Sequence, residues 1–370
     1  MNDKRIQNKK KVLHIVEAMG GGVFTYIIDL TNQLNKKFDQ YVAYAIRPQT
    51  PKNYKEYFSN NVILIEVENF TRSLNPLKDF KAFFEIKEIA KKVKPDIIHL
   101  HSSKAGVLGR WAFDGNKIPI FYTPHGYSFL MQNNGWAKRT IYKIIEMLSS
   151  KRLCTTISCS LGEHQETLKF TNRAVYINNG INIADLQNVM ERIKEKKSSH
   201  SFTVYTLGRI CYQKNPEQFN AIAQLLPDVK FLWIGDGELR EKLTSSNIEI
   251  TGWVDRETAL THTVNADVFL LTSLWEGLPI SLLESMYMKK ICVVSNVIGN
   301  KDVIFDEYNG FVCNTLDEFI KALRLAKDII IDEDVNGQLM MERAYQDILC
   351  TFNIDVMGDK YKDIYLKKIR

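Results

Sequence analysis

A chain of 370 residues is too long for one ordinary core and suits two domains of roughly 150 to 200 residues each. With hydrophobic residues at 45% and charged residues at 25%, its composition argues against a disordered or membrane-spanning protein. The net charge of +6 is placed unevenly: residues 1–180 hold 27 Lys+Arg against 15 Asp+Glu, and the remainder is acidic by six, so the first half reads either as facing an anionic partner or as a solvated basic surface.

The opening "MNDKRIQNKKK" lacks a signal-like hydrophobic segment, and no apolar run approaches the roughly 18 to 20 residues of a membrane span, so a cytosolic protein is expected. Short β-branched runs then alternate with helix-like segments: "KVLHIVEA", "YVAYAI", "VILIEV", "DIIHLHS", "IPIFYT" and "LCTTISCS". Between them, "KDFKAFFEIKEIAKKVK" carries aromatics at helical spacing, expected to pack on a sheet. "GWAKRTIYKIIEMLSSKR" places Ile141, Ile144, Ile145 and Leu148 on one helical face among Lys138, Arg139, Lys143, Lys151 and Arg152. Two readings stand for it: a core helix with a solvated face, or a surface for an anionic bilayer. After "YINNGINIADLQ" the lysine-rich "MERIKEKKSSHS" marks a hinge near residues 178–200. The pattern then restarts with "FTVYTLGRI", "VKFLWIGDG", "IEITGW", "ADVFLLTS", "KICVVSN" and "GFVCN". Strands alternating with helices imply parallel sheets covered on both faces. The expectation is an α/β protein of two doubly wound domains, residues 1–182 and 183–354, facing across a cleft, with a helix-compatible tail at about 355–370. The six cysteines lack CxxC pairs and read as reduced packing residues.

The loops at the carboxyl ends of such strands carry the chemistry. "EAMGGGVF" gives Gly21 and Gly22 at a helix start, where free N–H groups favour an anion, but the spacing is not GxGxxG and a nicotinamide dinucleotide is poorly supported. His99 and His101 share one strand face, as metal ligands do, or they shape a cleft beside Ser102, Ser103 and Lys104; the sequence offers no evident third ligand. In "LGRICYQKNPEQF", Gly208 ends a strand, and Arg209 and Lys214 read as a diphosphate clamp or as two surface cations. "IGDGELR" and "TGWV" place Asp236, Gly237, Trp253 and Val254 in turns with room for a nucleobase. "WEGLPISLLES" sets Glu276 and Glu284 eight apart. Glu284 lies about 8 Å beyond Pro279 along the helix axis, at odds with an acid and base sharing one glycosidic bond. Simple compensation of the helix dipole stays open for Glu276. Asp332-Glu333-Asp334 resembles a metal-binding DxD yet lies away from any strand-end loop and reads as a solvated turn.

"TLGRICYQKN", "WIGDGELREKL", "ITGWVDRETAL" and "SLWEGLPISLLESMYMKKICVVSNVIGNKDVI", in this order, resemble the donor domain of family 4 glycosyltransferases of the GT-B fold. "GGGVFTYIIDL", "DIIHLHSSKAGVLGRW" and "YTPHGYSF" are similar to the acceptor-side segments, particularly of bacterial surface-polysaccharide enzymes. The resemblance implies sugar transfer from a nucleotide diphosphate donor, UDP-linked by expectation, with retention and without a metal or other cofactor. It implies that Arg209 and Lys214 hold the diphosphate, Glu276 the sugar and Glu284 the ribose. Amides of Gly277, Leu278 and the helix opening at Pro279 would meet the phosphates, and His125 would sit at the sugar's reacting end. Gly21, Gly22, Gly208, Asp236, Gly237, Trp253 and Val254 complete the expected donor side, and His101, Ser102, Ser103 and Lys104 the acceptor side. It further implies that the C-terminal helix packs back on the first domain. The expected acceptor is a polysaccharide or lipid-linked oligosaccharide, with peripheral contact to anionic membrane and no nucleic acid. A sugar-nucleotide epimerase or hydrolase, or a non-catalytic partner of another transferase, remain as alternatives.

Overall fold

The structure, a computed structural model, describes residues 9–369 apart from residues 18, 48, 49, 72–74 and 194–200. The later part of the expected hinge therefore lies outside the described residues.

β1 (Lys10–Val16), β2 (Phe38–Tyr44), β3 (Ile63–Glu66), β4 (Ile97–His101), β5 (Ile120–Thr123), β6 (Thr155–Ser158) and β7 (Ala174–Tyr176) form one sheet in the order β3-β2-β1-β4-β5-β6-β7. β8 (Thr203–Leu207), β9 (Lys230–Ile234), β10 (Ile248–Ile250), β11 (Val268–Leu271), β12 (Ile291–Ser295) and β13 (Phe311–Cys313) form a second, in the order β10-β9-β8-β11-β12-β13. The ladders are parallel, as in Val12 opposite Ile97 and Val268 opposite Val204. The order reverses between β1 and β4 and again between β8 and β11. Those reversals open crevices at the strands' carboxyl ends, where open α/β sheets take ligands. Only β7, a three-residue strand in polar surroundings, escaped the sequence pattern.

The helices are α1 (Gly21–Leu34), α2 (Pro76–Val93), α3 (Ser103–Ala112), α4 (Trp136–Ser149), α5 (Leu161–Leu168), α6 (Ile183–Arg192), α7 (Pro216–Leu225), α8 (Arg256–Val264), α9 (Ile280–Tyr287), α10 (Leu316–Ile331), α11 (Val335–Cys350) and α12 (Ile354–Ile369). β1 shows why both faces of its sheet must be covered. Val12 and Val16 join the core under α1 and α12, while Leu13 and Ile15 join the core under α2 and α3. Burying each such side chain is worth roughly 1.5–3 kcal/mol against leaving it in water. α12 follows the second sheet in sequence but packs on α1 of the first, seating Tyr361 and Tyr365 among Tyr26 and Phe38. The two connecting segments run side by side through a bridge between Ile181 and Asn353.

Two helices differ from expectation. In α2 the buried stripe is Ala82, Ile86, Ile89 and Val93, and Phe80 and Phe84 are 65% and 48% exposed. Each lies two residues from Ala82, about 200° round a helix of 3.6 residues per turn, so the aromatics cannot share the stripe that meets the sheet. α4 turns its polar residues inward: Glu146 and Ser149 are buried, whereas Trp136, Ile141, Ile144 and Leu148 are exposed. The cause is Arg110 on α3, whose guanidinium lies 2.7 Å from the Glu146 carboxylate with both side chains buried. Tyr122 donates to the other carboxylate oxygen at 2.9 Å. Asp334 accepts from the Gly337 amide at 2.9 Å and so caps α11, which gives the Asp332–Asp334 turn a structural role. All six cysteines are free, and Cys350 alone of them is exposed.

Candidate active site between the two sheets

The loops after β8 and β11 meet at Glu276. Its carboxylate lies 2.7 Å from Lys214 Nζ, accepts from Ser273 Oγ at 2.7 Å, and takes a longer bond of 3.2 Å from Gln213. Gln213 also donates to the Trp275 carbonyl at 2.9 Å, and Thr272 to the Lys214 carbonyl at 2.8 Å, tying the two loops together. Gln213 and Ser273 were missed in the sequence. Ser273 stands three residues before Glu276 and Gln213 precedes Lys214, but nothing in that spacing shows that both side chains turn toward one acid. Arg209 is partly exposed on the same loop, 3.8 Å from Glu238. Gly208 accepts from Trp233 Nε1 at 2.9 Å through its carbonyl, and Asp236 accepts from the Gly237 amide and from Arg240. Asp236 thus shapes its own turn. Trp253 is 62% exposed after β10 and forms no enclosed slot, while Val254 packs on the core beneath.

α9 begins directly after Gly277, Leu278 and Pro279 and presents its free N–H groups beside Glu276. Glu284 is buried further along it, 2.9 Å from Arg256 Nη1; Arg256 also reaches Asp185 at 3.1 Å. Arg256 was missed, since "VDRETAL" reads as an ordinary helix start. The carboxylates around it, Glu284 foremost, raise the Arg256 pKa. Asp29 on α1 is pushed up to about 7 by burial, against the pull of Arg256 and with the push of Glu284 and Asp185.

The first sheet supplies the opposite wall. His125 follows β5 with φ of 55°, a strained setting for a residue with a side chain, and Gly126 after it donates to Glu163 at 2.7 Å. A Cβ built on Gly126 would stand 3.6 Å from the Gly277 amide nitrogen, which brings His125 and the Glu276 loop to one place from two domains. Gln132 donates to the Leu274 carbonyl and Asn179 to the Leu278 carbonyl, each at 2.9 Å, closing the base of the cleft. Gly21 has φ of 57°, and open space lies in front of both Gly21 and Gly22, at the mouth of the β1 crevice.

The expected acceptor side is altered. His101 has no exposed surface and lies behind His125, its Nδ1 3.1 Å from His125 Nε2. A fully buried ring cannot touch an acceptor, so its place is corrected to one behind the cleft wall. Ser102 opens α3 with φ of 70°, Ser103 accepts from Ser128, and Lys104 pairs with Asp79 at 2.8 Å. His14 on β1 was also missed. It joins His99 and His101, and the three bring ring nitrogens within 4.8 Å of one another. A lone polar residue inside the apolar "KVLHIV" was the available signal. Burial lowers His14 to about 4 and His125 to about 3, and holds His99 and His101 well below the usual range.

Comparison with known proteins agrees with this architecture. Residues 20–185 match the family described as Glycosyltransferase Family 4, and residues 201–328 match Glycosyl transferases group 1. The chain is 31% identical over 345 residues to the UDP-Gal:alpha-D-GlcNAc-diphosphoundecaprenol alpha-1,3-galactosyltransferase of Escherichia coli, covering 85% of this chain and 86% of that one. It is 26% identical over 349 residues to a Campylobacter jejuni alpha-1,4-N-acetyl-D-galactosaminyltransferase acting on GalNAc-alpha-(1->4)-GalNAc-alpha-(1->3)-diNAcBac-PP-undecaprenol, covering 89% and 91%. Among solved structures, Anabaena HepE in complex with UDP and glucose superposes with a TM-score of 0.74 at 15% identity, over 97% of this chain and 100% of that one, a likeness of fold. The chain belongs to the family 4 glycosyltransferases, of the bacterial surface-polysaccharide type, and it is a glycosyltransferase of GT-B fold.

Proposed function

We propose that the protein moves one sugar from a UDP-sugar to a lipid-diphosphate-linked oligosaccharide, with retention at the anomeric carbon and with side chains and amides in place of a metal. The observation that carries this is the convergence of Lys214, Glu276 and the α9 N-terminus on a loop that meets His125 from the other domain. The donor and acceptor classes are supported by relatives whose names specify UDP-Gal and undecaprenol-linked diphosphate saccharides.

In this reading the diphosphate lies against the amides of Gly277, Leu278 and α9, with Arg209 and Lys214 as cations. As the sugar–phosphate bond breaks, charge grows on the leaving phosphate, and fixed dipoles and cations stabilise it more than they do the ground state. Glu276, released in part from Lys214, grips the sugar hydroxyls; Glu284 holds the ribose and shares it with Arg256. His125 borders the reacting sugar from the opposite domain, and closure excludes water that would hydrolyse the donor. The exposed apolar faces of α4 and α2 rest on anionic membrane, bringing the cleft to a lipid-anchored acceptor.

Transfer from UDP-sugars to lipid-diphosphate saccharides tests it. Glu276→Ala and Arg209→Ala should each lower kcat by roughly a hundredfold with the fold intact, and His125→Ala should lower kcat more than it weakens UDP binding. Wild-type rates in the first two would refute the site. Donor consumption without acceptor would identify a hydrolase or epimerase, and UDP binding with no turnover would identify a non-catalytic partner.

A further inference from the structure

Three buried polar groups and the partly exposed His125 form one hydrogen-bonded row from the back of the first sheet to the cleft. Gln40 Oε1 lies 2.9 Å from His14 Nε2, His14 Nδ1 lies 3.0 Å from His101 Nε2, and His101 Nδ1 lies 3.1 Å from His125 Nε2. Gln40, His14 and His101 are buried on β2, β1 and β4, so no water competes for the two bonds among them. A neutral imidazole has one N–H and one bare nitrogen. Each ring in the row therefore dictates the next. Gln40 turns its carbonyl to His14 and leaves its own Nε2 without a hydrogen-bond partner; with the carbonyl as acceptor, His14 carries its proton on Nε2 and accepts at Nδ1. His101 must then donate from Nε2 and accept at Nδ1, and His125 in turn donates from Nε2. Its Nδ1 is left as the bare nitrogen.

We propose that Gln40, His14 and His101 are positioning residues that fix the tautomer of His125, so that its Nδ1 accepts a hydrogen bond from a hydroxyl of the donor sugar. This rests on the reading above that His125 borders that sugar. Each ring nitrogen of His14, His99 and His101 has a hydrogen-bonding partner; those of His99 are Tyr365 and Thr123. A cationic ring would donate at both nitrogens and break the row, and burial keeps the rings neutral.

The test is nitrogen NMR of protein labelled with 15N-histidine, with the His125 signals identified by their loss in His125→Gln. Wild type should show His125 protonated on Nε2. Gln40→Met removes the acceptor without a new polar group; His125 should then populate both tautomers, and kcat should fall about 3- to 10-fold, as for one neutral hydrogen bond, with the donor KM unchanged. His125 protonated on Nδ1 in wild type, unchanged His125 signals in Gln40→Met, or one equivalent of bound metal per chain would each overturn the proposal. If the tautomers behave as expected but His125→Gln transfers at the wild-type rate, the placement of His125 at the donor is wrong, and the proton order of the row stands by itself.

Discussion

Lys214 is committed before any donor arrives, its ammonium 2.7 Å from Glu276 with both side chains largely buried. In the proposed reading, a diphosphate would offer that ammonium a second anion, and the exchange would free a carboxylate oxygen of Glu276 for a sugar hydroxyl. Exposed ion pairs contribute about 0–1 kcal/mol, but this one is shielded, so truncating one partner strands the other. Neutral histidines make a second residue-level statement. Folding lowers His14 to about 4 and His125 to about 3 from an ordinary 6.5, and burial holds His99 and His101 well below it as well. As pH falls below about 6.5, the unfolded chain takes up protons that the folded chain does not. The stability these groups contribute is present above 6.5 and is lost as pH falls toward the folded values, by up to about 1.4 kcal/mol per pH unit for each histidine. Urea midpoints should drop steadily from about pH 7 to 5, with a shallower slope in His14→Phe. A flat profile in the wild type would contradict the neutral interior.

At the scale of elements, α4 owes its orientation to one buried ion pair. Removing either partner of such a pair costs about 3–5 kcal/mol, which exceeds what the half-exposed Ile144 and Leu148 would gain by turning inward. Glu146 therefore stays inside and the apolar face stays in water. α3 packs between α2 and α4, so exposed Leu77, Phe80 and Phe84 lie in the same helix layer, with Lys138, Lys143 and Lys87 at hand. Liposomes containing anionic lipid should sediment the protein at low salt, and Ile144→Glu combined with Leu148→Glu should abolish it; sedimentation equal to that on neutral liposomes would rule out the contact. Among the described residues no helix is long and apolar enough to cross a membrane. The sequence pattern displayed the two faces of α4 but not which one looks inward, because Arg110 lies 36 residues from Glu146.

Across the whole molecule, the two sheets touch where the Glu276 loop has little room for a side chain at Gly277. A Cβ on Gly277 would stand 3.1 Å from Cys159 Sγ, from the Gly126 nitrogen and from the His125 carbonyl carbon, and one on Gly299 would stand 2.4 Å from the Gly277 oxygen. Gly277→Ala should wedge the His125 loop away by a few tenths of an ångström. Because small misplacements of reacting groups are expensive, kcat/KM should fall roughly tenfold or more, with the melting temperature little changed. Steady-state kinetics equal to wild type would show that transfer does not depend on this contact.

The sequence by itself determined the two parallel sheets, the strand-end loops, and Lys214 and Glu276 as separate candidates, because each is local. A β-branched run, a glycine turn or a helix-starting proline acts on its own neighbours, and the donor loops follow one another in order. Tertiary structure alone decided which partners those residues hold. The Gln40–His14–His101–His125 row joins β2, β1, β4 and the loop after β5. Arg256 meets Glu284 from a separate helix, and Phe80 and Phe84 face outward because Ala82 and Ile86 claim the sheet. Hydrogen bonds and ion pairs depend on side chains brought together from distant parts of the chain, and no periodicity records that closeness.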